Sequence, residues 1–232
     1  MEKPLNNNEN LNLLIFATLS FASVMPSIYF LTFGYVPSFW LIESGLYETA
    51  GAAACFIAGL LNLANFKASL NQKRRLGAFW LLLLSLACIF IAGEEISWGQ
   101  HFFNYELSEG ITSNNFQGEL NLHNSMLVQS SNQILSTILF RMLMAYFIAL
   151  PVFLIVFPTF EKWVQQMMIP IPSMLIALIA LIAKAGSMIN YKILSDLHGE
   201  VGEALECIFE ICLLILAFEI FYYLKNNRTN LR

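Results

Sequence analysis

Charged residues are scarce in this chain, and that scarcity is the first indication of its class. Asp, Glu, Lys and Arg together make up 12% of the 232 residues, whereas 57% are hydrophobic. A soluble domain carries about 25% charged residues, and it lacks repeated apolar stretches of about 20 residues. The composition therefore predicts a polytopic membrane protein.

An excess of basic charge is also lacking. The formal net charge is −4, and no basic face is available to neutralise phosphates, which argues against a nucleic-acid partner. Aromatic residues, by contrast, are plentiful, with 20 Phe and 4 Trp. Membrane lipids are the partner that this composition predicts.

Two motif types that carry chemistry in other proteins are missing. The four cysteines form no CxxC pair and all lie in apolar segments, where a cysteine usually packs as a small hydrophobic residue. No GxSxG motif is present, and Ser97 lacks the strand–turn–helix setting of a nucleophilic serine. The sequence therefore favours neither a disulfide scaffold nor a serine hydrolase.

What the chain does contain is a series of apolar runs long enough to span a bilayer. The first is longer than a signal-peptide core and predicts a retained span. The sequence predicts an all-α fold: a single polytopic transmembrane helical bundle over residues 1–232, with an extracytoplasmic loop or re-entrant segment after the third span. The six predicted spans are about 12–33, 46–66, 76–93, 134–157, 170–190 and 203–224.

The basic residues predict the orientation of these spans. With the N-terminus inside, nine of the twelve Lys and Arg residues fall on the cytoplasmic side, as the positive-inside rule requires. Both termini are then cytoplasmic. The nine residues are Lys3, Lys67, Lys73, Arg74, Arg75, Lys162, Lys225, Arg228 and Arg232.

The same orientation collects the unusual polar residues on the outer side. The run 93–101 ends the third span with two acids, a serine and a histidine, and a second cluster follows at 119–124. Ionisable residues at membrane depth are costly and indicate function by default. We predict Glu94 and Glu95 as catalytic residues, one of them acting as general base.

Further charged residues lie inside the predicted spans and form a candidate substrate-binding or charge network. Its members are Arg141, Lys184, Glu203 and Glu206. Glu203, Glu206 and Glu210 share one face of the sixth span. Two interpretations stand: a structural network of ion pairs, or a polar cavity open to the outside whose bases hold an anionic substrate group.

Histidine and glutamate spacing indicates a metal site, with Zn as the candidate ion. On a continuous helix, Ser97 and His101 lie on one face, as do Glu119 and His123, and Zn accepts imidazole nitrogen and carboxylate oxygen. The alternative for each histidine is an interfacial residue hydrogen-bonded to a loop carbonyl. The candidate metal ligands are His101, Glu119, His123 and His198.

Two sequence blocks resemble a known family. The strings GEEISWGQ at 93–100 and NFQGELNLHN at 115–124 are similar to the signature blocks of a family of uncharacterised bacterial polytopic membrane proteins. This resemblance implies a multi-pass protein of the bacterial inner membrane.

Two further families are similar in part. Ser97 and His101 resemble the S-x3-H motif of the alkaline ceramidase and adiponectin receptor superfamily, although the second zinc-binding His-x3-His motif is missing. Glu94 and Glu95 resemble the Glu-Glu pair of CAAX-protease-like membrane proteins, without the following Arg or the two His motifs.

These observations lead to two hypotheses of function. The first is a membrane-embedded, metal-dependent hydrolase that acts on a lipid or membrane-associated substrate at the extracytoplasmic face. The alternative is a non-enzymatic transporter or membrane-assembly subunit with a buried charge network.

Overall fold

The computed structural model describes residues 7–41, 45–103, 141–194 and 202–229. These ranges are helical with short turns and contain no strand, so the predicted all-α class is confirmed there. The main helices are α1 (Asn7–Phe33), α2 (Leu46–Asn71), α3 (Arg75–Glu95), α4 (Arg141–Val156), α5 (Pro158–Gln166), α6 (Met174–Ile193) and α7 (Glu203–Thr229).

Four of the described helices are long and apolar enough to cross a membrane. They correspond to the first, second, third and fifth predicted spans. The described part of the fourth predicted span is the shorter apolar helix α4, and α7, which covers the sixth predicted span, is not among these four helices. The four long helices are Leu11–Phe33, Leu46–Asn71, Arg75–Glu95 and Met174–Ile193.

Small residues bring α2 and α3 close together in the centre of the bundle. The Ser85 hydroxyl donates a 2.8 Å hydrogen bond to the Gly59 carbonyl, and a Cβ at Gly59 would lie 2.6 Å from the Ile89 side chain. Small residues allow such close backbone approach in membranes, where lipid removes the usual hydrophobic drive between helices. The buried face of α2 has alternating spacings of four and three: Gly51, Cys55, Ala58, Asn62, Asn65 and Ser69.

Polar side chains fasten α2 to α7. The Asn65 amide donates to the Ala217 carbonyl over 2.9 Å, and the Gln72 amide donates to the Leu224 carbonyl over 3.0 Å. Both bonds occur where one helix meets another, as is usual for polar residues in transmembrane bundles. Helices α2 and α7 therefore run side by side in the same direction, and α3 runs in the opposite direction against α2.

Polar side chains also join α1 to α6, and we call this contact the seam. The Ser27 hydroxyl donates to Asn190 Oδ1 over 2.6 Å, and Asn190 Nδ2 donates to the Ser23 carbonyl over 2.9 Å. A Cβ at Gly186 would lie 2.7 Å from the Ser23 hydroxyl, so glycine is needed for this approach. Helix α6 also packs on α7, and it thereby connects α1 to the central helices.

Prolines shape the chain between α4 and α6. Pro151 has no backbone N–H and its ring crowds the carbonyl four residues earlier, at Phe147. A π-helical turn at Ala145–Ala149 absorbs this disturbance. Pro158 then begins the short helix α5, which is bound to α3 by a 3.0 Å hydrogen bond from the Trp80 indole to the Met167 carbonyl.

The directions of α2, α3 and α7 separate charge between two ends of the bundle. We call the acid end the group Glu48, Glu94, Glu95, Glu203, Glu206 and Glu210, at the start of α2, the end of α3 and the start of α7. We call the basic end the group Lys73, Arg74, Arg75, Lys162 and Lys225, at the opposite ends of the same helices and in α5. The charge asymmetry expected from the sequence is thus present in the fold.

Candidate functional site

Carboxylates from three helices converge at the acid end. Glu95, the last residue of α3, is half-buried and is influenced electrostatically by Glu48 of α2, Glu94 of α3, and Glu206 and Glu210 of α7. Because α2 and α7 begin where α3 ends, their first turns meet at this point. Carboxylates crowded together away from water cannot all carry charge unless protons or cations are taken up.

A tight turn holds Glu94 in place. Its carboxylate is 7% exposed and accepts a 2.8 Å hydrogen bond from the Trp98 indole. The Trp98 ring lies over Gly93, where a Cβ would meet the ring at 2.9 Å. Ser97 and Trp98 both adopt the left-handed conformation, with φ of 45° and 51°. Such strain in non-glycine residues is stored mainly at functional sites.

Glu210 lies deeper than the other acids, on the buried side of α7. Its side chain is 5% exposed, and neither carboxylate oxygen has a hydrogen-bond partner in the described part of the chain. A Cβ at Gly51 would overlap Glu210 Oε2 and would lie 3.2 Å from the Cys207 Cα. The missing side chain at Gly51 therefore creates the space that the Glu210 carboxyl group occupies.

The remaining predicted members of the charge network differ in exposure. Glu203 is half-buried and Glu206 is exposed, and both act electrostatically on Glu210. Lys184 is half-buried and engaged with a neighbour, whereas Arg141 is exposed. Pairing of Arg141 or Lys184 with the acid end stays a prediction.

The predicted metal ligands fall mostly outside the described residues. Glu119, His123 and His198 lie there, and for His101 the structure describes only the backbone, in the short helix Gln100–Phe103. Within the described ranges, no group of three His, Cys, Asp or Glu side chains could hold a metal ion. A Zn site with the four predicted ligands therefore stays a prediction.

The continuous helix on which Ser97 and His101 would share one face is absent. Helix α3 ends at Glu95, and the chain turns through Ser97–Gly99 before Gln100 begins a new helix. Gly99 adds a third positive φ, of 83°, to this turn. The physical reason is that Trp98 folds back onto Gly93, which a continuing helix would not allow.

Sequence reasoning missed the depth of the site. The sequence places Glu210 on the charged face of α7 but does not predict it as a site residue, and it predicts no role for Gly51. A signal was present for Glu210, since it is an acid flanked by the apolar segments of a span. No signal existed for Gly51, because its partner lies far away in the sequence.

Comparison with known proteins adds no family to this description. No family model matches the chain, and no curated protein or solved structure matches it.

Proposed function

We propose that this chain is an integral membrane hydrolase that acts on a lipid or membrane-associated substrate at its acid end. The observation that supports the proposal is the convergence of carboxylates from α2, α3 and α7 around Glu95. A buried carboxylate close to the surface of a bundle is suited to take a proton from water that attacks a substrate. Glu95 is the proposed general base.

In this proposal Glu94 has a supporting role. Its hydrogen bond from Trp98 fixes the carboxylate at the end of α3, next to Glu95. The exposed edge of Trp98, which is 44% exposed, lies beside this pair and suits contact with the apolar part of a membrane substrate. Arg141 and Lys184 are the proposed partners of an anionic substrate group.

A metal ion would require ligands beyond the acid end. We propose that His101, His123 and His198, with Glu119, complete such a site and that Zn is the ion, because imidazole and carboxylate suit it. Bound there, the ion would supply Lewis-acid activation of water or of a carbonyl oxygen. The proposed location is the bacterial inner membrane, with both termini in the cytoplasm.

Metal content and hydrolysis test this proposal together. Purified protein should contain stoichiometric zinc, which His123→Ala should lose, and should hydrolyse a member of a panel of fluorogenic lipids and membrane peptides. Glu95→Gln should lower that rate by about 100-fold or more, while Glu161→Gln at the basic end should not. Wild-type protein without metal, with a normally folded His123→Ala, would contradict the metal-dependent mechanism.

A second candidate function is a non-enzymatic transporter or assembly subunit with a buried charge network. It is favoured by buried polar side chains that continue along α2 beyond the acid end, at Asn62 and Asn65, which are 2% and 0% exposed. Two results together would favour this candidate over the hydrolase. The protein would transport a solute into liposomes even as the Glu95→Gln variant, and it would hydrolyse no member of the panel.

A further inference from the structure

Glu210 differs from the other acids because, within the described part of the chain, it is shielded from water and has no hydrogen-bonded counter-charge. It is 5% exposed, and neither of its oxygens has a hydrogen-bond partner among the described residues. An ionised carboxylate without partners is very costly to bury. The carboxylate must therefore be neutralised by a positive side chain, a metal ion or a proton that fits the space beside Gly51.

The groups that face Glu210 from α2 and α3 do not supply a positive charge. Glu48 and Cys55 belong to α2, and Cys55 also contacts Cys88 of α3. Glu95, also of α3, interacts electrostatically with Glu210. The Cys55 thiol lies beside the carboxyl group, but a thiol is a weak donor and does not reach hydrogen-bond geometry.

Further described groups near Glu210 come from α7 itself and from α6. On α7 itself, Glu203, Glu206 and Cys207 lie within the preceding two turns. Helix α6 packs against α7 and carries two bases: Lys184, which is half-buried and engaged in its own interaction, and Lys192, which is exposed in the last turn. The described neighbours of Glu210 thus consist mainly of acids and thiols.

The available ligands favour a proton over a metal ion. A metal needs several ligands at once, and no described group of three suitable side chains provides them. A proton needs only one carboxylate oxygen. Glu210 Oε2 lies against the bare Cα of Gly51, where only a side chain of hydrogen size fits.

We propose that Glu210, the deepest member of the acid end, is an intramembrane proton-binding site. It is closed by Gly51 and is reached from the other members of the acid end. The reaction is the addition of one proton to the carboxylate to give the neutral acid, and the proton comes from water at the acid end. The exposed Glu206, one helical turn away, and the half-buried Glu95 both interact electrostatically with Glu210 and are the proposed route for the proton. The site stands independently of the proposed hydrolysis.

Infrared difference spectroscopy of the full chain in lipid nanodiscs tests the site. At neutral pH, the wild type should show the C=O band of a protonated carboxylic acid, which shifts in heavy water and disappears only at alkaline pH. Glu210→Gln should lose this band, because the amide cannot take up the proton. Glu161→Gln, at the basic end, should keep it.

Two results would overturn the proposal. One is a wild-type spectrum without a protonated carboxylic acid at neutral pH, which needs no variant to interpret. The other is an unchanged band in a folded Glu210→Gln protein. Zinc content and hydrolysis are separate readouts, so a failure of the proposed hydrolase leaves this result unaffected.

Discussion

Two glycines near the acid end matter because they have no side chain, which leaves room for a side chain from another residue. Gly51 and Gly93 both receive a side chain from elsewhere: the Glu210 carboxyl group at Gly51 and the Trp98 ring at Gly93. Neither contact is a hydrogen bond to the glycine. Each glycine is required because any Cβ would displace the group that makes the site.

Gly51→Ala should therefore destabilise the protein and disturb Glu210. The added methyl overlaps Glu210 Oε2, and overpacking of this kind costs about 1–3 kcal/mol. The measurement is the free energy of unfolding in detergent. The matched control is Gly77→Ala in α3, where a Cβ would meet its neighbours at an ordinary 3.4 Å.

A double variant locates the cause. Glu210→Ala removes the overlapping carboxyl group, so Gly51→Ala should cost less in that background than in the wild type. Equal costs in both backgrounds, or a cost no greater than that of Gly77→Ala, would show that the Glu210 contact is not the reason for glycine at position 51.

The sequence predicts the long helices well and the contacts between single residues poorly. The apolar runs predict α1, α2, α3 and α6 because a run of about 20 such residues has few other stable states. The turn at Ser97 was not predictable, since serine rarely adopts a positive φ. The contact between Gly51 and Glu210 joins residues that no local pattern connects.

At the scale of helices, α5 stands apart from the spanning segments. It is nine residues long, begins at Pro158, and carries a row of aromatic residues in contact: Phe160 stacks on Trp163 with ring centroids 5.2 Å apart. Trp163 is 46% exposed, while the next residue, Val164, is 2% exposed. Exposed aromatic rings between two apolar helices are typical of the lipid–water boundary.

We expect the Trp163 ring to lie among lipid headgroups and the first methylene groups. In a variant with Trp40, Trp80 and Trp98 changed to Phe, nitroxide labels near the headgroup should quench the fluorescence more strongly than labels deep in the acyl chain. A variant that lacks all four Trp residues gives the background. Quenching by aqueous acrylamide alone would contradict an interfacial position.

At the scale of the whole molecule, the separation of charge predicts orientation. The basic end contains Lys73, Arg74 and Arg75 close to the C-terminal part of α7, where Arg74 donates to the Tyr223 hydroxyl over 3.3 Å. The positive-inside rule then places this end in the cytoplasm and the acid end outside.

Reporter fusions measure this orientation directly. Green fluorescent protein fused after Arg232 should fluoresce, and alkaline phosphatase inserted within residues 104–133 should be active, because the phosphatase matures only outside the cytoplasm. The reciprocal fusions serve as controls and should be silent. The opposite pattern would invert the molecule and place the acid end in the cytoplasm.

The seam between α1 and α6 has a consequence for the order in which the protein is made. Ser27 and Asn190 are 163 positions apart, so α1 enters the membrane long before its hydrogen-bond partner has been synthesised. The helices made in between must insert without closing off the side of α1 that carries Ser23 and Ser27. Closing the contact between α1 and α6 is thus a late event of biogenesis, and a ribosome that stops before α6 leaves Ser23 and Ser27 without Asn190.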